Sequence, residues 1–239
     1  MYRKIYDKFK IVGINHFYGD FFDSRGYISE LLLKIKTDNI LDVGCGAGVL
    51  LSCVPSCYKV GIDMNFDALK QIKKLDKNID AVLADAQFLP FKTDVFTTIT
   101  AMHLFPVIDI LEGNWKQSIK EVNRVAKKKN VLLITGANRA SRHFTKTHSF
   151  EDRKKYLTPY EQKNVLENYY DVELDGFGPH PNWIMYPFKI IYNIPSKIVD
   201  YLRIEKIIFK FLKSKKYLKN GRSYVMICKS KGDKIINDS

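Results

Sequence analysis

The sequence predicts an α/β domain built on a doubly wound, mostly parallel sheet, and three observations carry that prediction. Short apolar runs alternate with amphipathic stretches through the first 136 residues, at the pace of repeated strand–helix units. The run Asn39-Ile-Leu-Asp-Val43 is too short for a helix and ends on a glycine cluster, as a strand buried on both faces does. A chain of 239 residues with 46% hydrophobic content can bury a sizeable core without staples.

The elements follow in order. Ile28, Leu31, Leu32 and Ile35 keep helical spacing after Ser24, a capping residue, and Thr37-Asp38-Asn39 ends that helix. Beyond the first strand, a short helix through Val49, Leu50, Leu51 and Cys53 stops near Pro55. Tyr58 to Asp63 reads as a second strand, Phe66 to Leu75 as a helix, and Ala81 to Asp85 as a third strand. Phe96 to Ala101 is β-branched and strand-like, Trp115 to Val125 is amphipathic, and Val131 to Thr135 is another strand. Pro159 to Tyr169 reads as helical, Val172 to Leu174 as a short strand and Tyr224 to Cys228 as the last one.

No repeat or low-complexity linker divides the chain, so residues 1–239 are expected to form one domain, with the segment 1–37 before a core at 38–136. Residues 178–222 read as an insertion before the last strand. Ile191, Ile194, Ile198 and Leu202 share one face, and Ile204, Ile207, Ile208 and Phe211 share another out of phase with it. Two short amphipathic helices broken near Arg203 fit that pattern better than one long helix.

Composition limits the function classes. The hydrophobic and charged fractions exclude wholesale disorder and a fibrous fold. No uncharged apolar stretch reaches about 18 residues, so no membrane span is expected. The basic N-terminus lacks an apolar core, so no secretory signal is expected either. Cys45, Cys53, Cys57 and Cys228 suit small hydrophobes in a reducing compartment, which points to the cytoplasm.

The strongest chemical signal is Leu41-Asp-Val-Gly-Cys-Gly-Ala-Gly48. Glycines at alternate positions after a buried strand let the backbone turn tightly and approach a ligand. Ligands in such sheets sit at the carboxyl ends of the strands. A dinucleotide fingerprint needs a third glycine at position 49, where this chain has Val49, so a smaller adenosyl ligand is favoured. Asp63 ends the second strand about twenty residues after the glycines, where a carboxylate can accept both ribose hydroxyls. Asp85 ends the third, where it can accept an exocyclic amine. Each aspartate alone also reads as a cap or turn former.

Leu-Asp-Val-Gly-Cys-Gly-Ala-Gly (41–48), Val-Gly-Ile-Asp-Met (60–64), Ala-Asp-Ala-Gln-Phe-Leu-Pro-Phe (84–91) and Glu-Val-Asn-Arg-Val-Ala-Lys (121–127) follow one another in order. Together they resemble the class I S-adenosylmethionine-dependent methyltransferases, in the ubiquinone/menaquinone-biosynthesis (type 11) branch, over roughly residues 38–136. The resemblance implies a Rossmann-like seven-stranded sheet, a lid in the N-terminal segment, and S-adenosylmethionine as cofactor. It implies that Asp42, Gly44, Gly46 and Gly48 hold the methionyl part, that Asp63 holds the ribose and that Met64 packs on the adenine. Asp85 and the Ala86 backbone would read the adenine edge, and Ala101 to His103 would border the sulfonium and the acceptor.

Two departures stand out. The family's Phe-Asp at the fourth strand is Phe96-Thr97 here, which is expected to loosen a structural hydrogen bond, and its Lys-Pro-Gly-Gly turn is Lys127-Lys-Lys-Asn130.

Methyl transfer from a sulfonium is an in-line displacement, for which positioning and exclusion of water supply much of the barrier reduction. No metal is required, and the sequence offers no convincing metal site; His143 and His148 lack a third ligand at suitable spacing. His103 is the candidate general base if the acceptor atom is protonated, with a buried structural histidine as the equal alternative. Tyr6, Asp7, His16 and Tyr18 lie in the segment that the resemblance makes a lid and read equally as surface or packing residues, the favoured reading for His16, while His143 and His180 fall on the substrate side only by chain order.

The net charge is +13, and residues 186–222 carry ten Lys and Arg against Asp200 and Glu205. Three readings of that segment compete: a helical lid with solvated lysines, an interfacial helix on an anionic bilayer that admits a lipid-like acceptor, and a phosphate-contacting RNA surface. Its Ile and Phe content favours an apolar partner over RNA. The expectation is a methyltransferase acting on a small, apolar or lipid-like metabolite, in the cytoplasm and peripheral to the membrane. A tRNA-modifying enzyme is the alternative, and a silent cofactor-binding subunit the third reading.

Overall fold

The computed structural model describes residues 24–35, 37–55, 58–140, 157–177, 213–219, 221 and 223–231. Tyr6, Asp7, His16, Tyr18, His143, His148, His180, Cys57 and the insertion up to residue 212 lie outside them.

In chain order the elements are α1 (Ser24–Lys34), β1 (Asn39–Val43), α2 (Val49–Cys53), β2 (Tyr58–Asp63), α3 (Phe66–Leu75), β3 (Ile79–Leu83) and β4 (Phe96–Met102). Then come α4 (Leu104–Ile110), α5 (Trp115–Val125), β5 (Ala126–Ala137), α6 (Pro159–Leu166), β6 (Tyr170–Phe177), β7 (Lys213–Ser214), a 3-10 turn (Lys215–Leu218) and β8 (Ser223–Ser230). The sheet runs β3-β2-β1-β4-β5-β8-β6-β7. Ladders among β1 to β5 are parallel; β8 is antiparallel to both its neighbours, and β7 is antiparallel to β6. Strand order reverses between β1 and β4, which opens a crevice at the carboxyl ends of these strands.

Alternation along the strands sends side chains to two cores. Leu41, Val43, Ile62, Ile99 and Ile134 pack on the face covered by α4, α5 and α6. Ile40, Leu133 and Val225 pack on the opposite face with α1, α2 and α3. The helices form for local reasons. Asn65 accepts the Ala68 N–H at the start of α3, Asn114 the Gln117 N–H at α5, and Thr158 forms a reciprocal capping box with Glu161 at α6. Ile119, Val122 and Val125 give α5 its buried stripe.

Several expectations are corrected. The doubly wound, mostly parallel sheet is as expected, and the two-residue Lys213–Ser214 adds an eighth strand to the seven by pairing with Gly176 and Phe177 where the insertion re-enters the sheet. Lys213 there makes ion pairs with Glu173 and Asp175. Strand β3 starts two residues early and ends at Leu83, so Asp85 lies beyond it in a turn. Strand β5 starts at Ala126; Lys127 to Asn130 bulge from the ladder between Phe96↔Ala126 and Thr98↔Val131 instead of ending it. The Asn130 side chain closes that bulge onto the Lys127 carbonyl at 2.6 Å. Thr97 loosens nothing: its backbone N–H donates to the Asn39 side chain at 2.7 Å, and its hydroxyl donates to the Asn39 carbonyl at 2.9 Å. Among the described residues no helix is long and apolar enough to cross a membrane.

Candidate active site

The carboxyl tips of β3, β2, β1 and β4 lie side by side in that order, which lines up the turn after Leu83, Asp63, the glycine loop and His103. At β1, Gly44, Gly46 and Gly48 have φ of 75°, 53° and 74°, a left-handed run that lifts the loop off the strand and starts α2. The Ile62 carbonyl accepts the N–H groups of both Gly44 and Cys45 at 2.9 Å, and the Cys45 carbonyl accepts that of Gly48 at 3.0 Å. A Cβ placed on Gly46 would meet no atom within 4 Å, so the loop is open there.

Asp63 shapes the loop. One carboxylate oxygen accepts the Gly46 N–H and the other the Asn65 N–H, both at 2.8 Å. It is therefore a turn former, yet each oxygen keeps a lone pair. Asp85 also organises its own turn, accepting the Gln87 N–H at 2.8 Å. Met64 between them is 70% exposed and offers an apolar surface. Ala86 is buried in the turn after Asp85.

Two expected contacts sit deeper. Ala101 is a fully buried part of the β4 core. Asp42 is 1% exposed and accepts a 2.6 Å hydrogen bond from the Thr100 hydroxyl on β4. Burial pushes the Asp42 carboxyl up to about 7, against the lowering effect of Thr100, and the nearby Asp63 charge adds to the rise. The pH consequence has a definite sign. The folded chain holds this proton up to about 7, whereas the unfolded chain releases it near 3.8. Asp42 therefore lowers stability progressively as pH rises through that window, with no further change above it. The full swing is on the order of 4 kcal/mol. Asp42→Asn is expected to shrink the loss of urea-unfolding free energy between about pH 5 and pH 7.5; an undiminished loss assigns it to other groups.

His103 directly follows β4, donates its backbone N–H to the Thr135 carbonyl at 2.9 Å, and sits at φ 59° as the N-cap residue of α4. A non-glycine residue held in this region costs about 1–2 kcal/mol. Val107 and Leu111, on and just past α4, are 46% and 74% exposed, and Phe88, in the turn after Asp85, is 72% exposed.

Two residues of α5 tie down the segment after Asp85. Glu121 accepts the Leu89 N–H at 2.8 Å, while Arg124 donates to the Leu89 and Phe91 carbonyls at 2.9 and 2.7 Å and pairs with Glu121. The Arg124 guanidinium holds the Glu121 carboxyl below its usual range. Their i, i+3 spacing on an amphipathic helix was the available signal; their target more than thirty residues earlier was not.

A left-handed glycine cradle and two carboxylates on three adjacent tips fit an adenosyl group with an amino-acid tail. Residues 41–134 match the family model described as a methyltransferase domain. The chain carries a methyltransferase domain. S-adenosylmethionine is the donor that the sequence resemblance implies for this domain. The methyltransferase is 28% identical over 198 residues to an uncharacterized protein of Methanocaldococcus jannaschii, covering 79% of this chain and 80% of that one. It is 34% identical over 99 residues to a tRNA (carboxymethyluridine(34)-5-O)-methyltransferase of Arabidopsis thaliana, covering 40% of this chain and 23% of that protein. Its fold is similar to a crystal structure of an S-adenosylmethionine-dependent methyltransferase of Thermotoga maritima, described as a possible histamine N-methyltransferase. The TM-score is 0.61 at 16% identity, over 97% of this chain and 100% of the other.

Proposed function

We propose that this methyltransferase transfers its methyl group to a small apolar or lipid-like acceptor at the crevice between β1 and β4. The observation that carries the reading is the row of tips: an open glycine loop on β1, Asp63 on β2 and Asp85 past β3, with His103 on the other side of β1. Asp63 would take the ribose hydroxyls through its remaining lone pairs, Met64 the face of the base, and Asp85 with the Ala86 backbone its edge. The loop from Gly44 to Gly48 would take the amino-acid tail over the buried Asp42, with Ala101 in the wall beneath. When bound, the donor supplies a methyl group on a positively charged sulfur. The chain would orient that group and keep water away, which supplies much of the barrier reduction for an in-line displacement.

The exposed Phe88, Val107 and Leu111 at the carboxyl edge support an apolar acceptor, as does the Ile- and Phe-rich character of residues 186–222. The basic residues of that segment would hold it against an anionic bilayer. The match to a tRNA methyltransferase over 99 residues supports the second reading, in which the same charges contact RNA. Incubating the full chain with a methyl-labelled donor, anionic lipid vesicles with their apolar extractables, and tRNA separates them. Label in the organic phase supports the first reading. Label in tRNA, lost steeply with added salt, overturns it.

His103 would serve as the base for a protonated acceptor atom. Because His103 occupies a left-handed site, His103→Gly is expected to fold with a stability within about 1 kcal/mol of the native chain. Transfer should slow and its pH profile should change, with unchanged affinity for S-adenosylhomocysteine. A retained rate and profile remove His103 from the chemistry.

A further inference from the structure

Gln87 is outside every expected contact, yet its side-chain amide is held at both ends. Its Oε1 accepts the Asn114 N–H at 2.6 Å, at the residue whose side chain caps α5. Its Nε2 donates to both carboxylate oxygens of Asp85, at 3.3 Å to Oδ1 and 3.1 Å to Oδ2. The amide cannot be flipped, since reversal would set an NH2 against the Asn114 N–H and a carbonyl against the carboxylate. Gly113 lies beside the amide, where an added Cβ would stand 3.5 Å from Nε2. A carboxylate has about four acceptor directions. The Gln87 backbone and side chain fill both on Oδ1 and one on Oδ2, which leaves one on Oδ2 open.

We propose that Gln87 is the positioning residue that sets purine specificity in the donor site: it locks Asp85 with one lone pair open, so that the site takes a 6-amino purine and rejects a 6-oxo purine. This rests on the reading that Asp85 meets the edge of the base. A 6-amino group donates into the open direction, whereas a 6-oxo group sets a second acceptor against a carboxylate that can neither turn nor accept a proton from Gln87. Freed of Gln87, the Asp85 side chain can rotate away from the oxo group, and discrimination falls.

The test is calorimetric binding of S-adenosylhomocysteine and its 6-oxo counterpart, S-inosylhomocysteine, to the full chain and to Gln87→Leu, Gln87→Glu and Asp85→Asn. Gln87→Leu is expected to cut the preference for the adenosyl compound by about tenfold or more. Gln87→Glu is close to isosteric and keeps an acceptor for the Asn114 N–H, but sets a carboxylate beside Asp85. Its preference should fall at pH 8 and recover at low pH, where the pair shares a proton; a purely structural role would not produce that dependence. If both Gln87 variants keep the native preference while Asp85→Asn loses it, Asp85 reads the base and the role of Gln87 is wrong. If Asp85→Asn keeps it as well, the reading of Asp85 fails and the proposal falls with it.

Discussion

Asp63→Ala is expected to weaken S-adenosylhomocysteine binding by about a thousandfold. The native carboxylate has one free lone pair on each oxygen after holding the Gly46 and Asn65 N–H groups. Two charge-assisted hydrogen bonds to ribose are together worth roughly 4 kcal/mol, and 1.4 kcal/mol is one decade in affinity. The loop then loses its tie as well, since Gly46 would have only water to bond. Asp63→Asn keeps one acceptor oxygen and should fall between the two. Calorimetry reads both variants, and an affinity within threefold of the native value for the alanine form would remove Asp63 from the site.

Gly48→Ala should cost folding stability of about 3 kcal/mol, the largest stability effect expected in the loop. The residue sits at φ 74°, and an added Cβ would stand 2.9 Å from Ile72 Cγ1 and 3.3 Å from Cδ1, on a fully buried side chain of α3. Strain and overpacking therefore add. Gly46→Ala supplies the contrast: its φ is 53°, but nothing lies within 4 Å of the new methyl group. It should lose only about 1 kcal/mol of stability while filling the space proposed for the ligand. Urea unfolding and ligand titration of the pair separate folding from binding; equal destabilisation by both would mean that Ile72 does not crowd the loop.

The same residues show what could be read from the sequence. Helices α3 and α5 were legible to their ends from their clean apolar stripes, and the asparagine caps at Asn65 and Asn114 fix the same starts. Helix α4 was missed: it has seven residues, contains Pro106 and starts from a left-handed histidine, so periodicity had nothing to register. β7 is two residues long and exists only because Phe177 and Gly176 offer a ladder partner. Among the proposed site residues, the glycines and carboxylates announced themselves by following apolar strands. The burial of Asp42 was also written in its neighbours, since Ile40, Leu41 and Val43 leave a strand with no wet face. Gln87, Glu121 and Arg124 were not legible as a support for Asp85, because their hydrogen bonds join segments 27 to 35 residues apart.

A crystal structure of the full chain with S-adenosylhomocysteine is expected to show the base against Met64 with its amine toward Asp85, the ribose hydroxyls on Asp63, and the amino-acid tail over Gly44 to Gly48. Electron density for the compound anywhere else, or these two carboxylates turned from it, would contradict the assignment of the three strand tips.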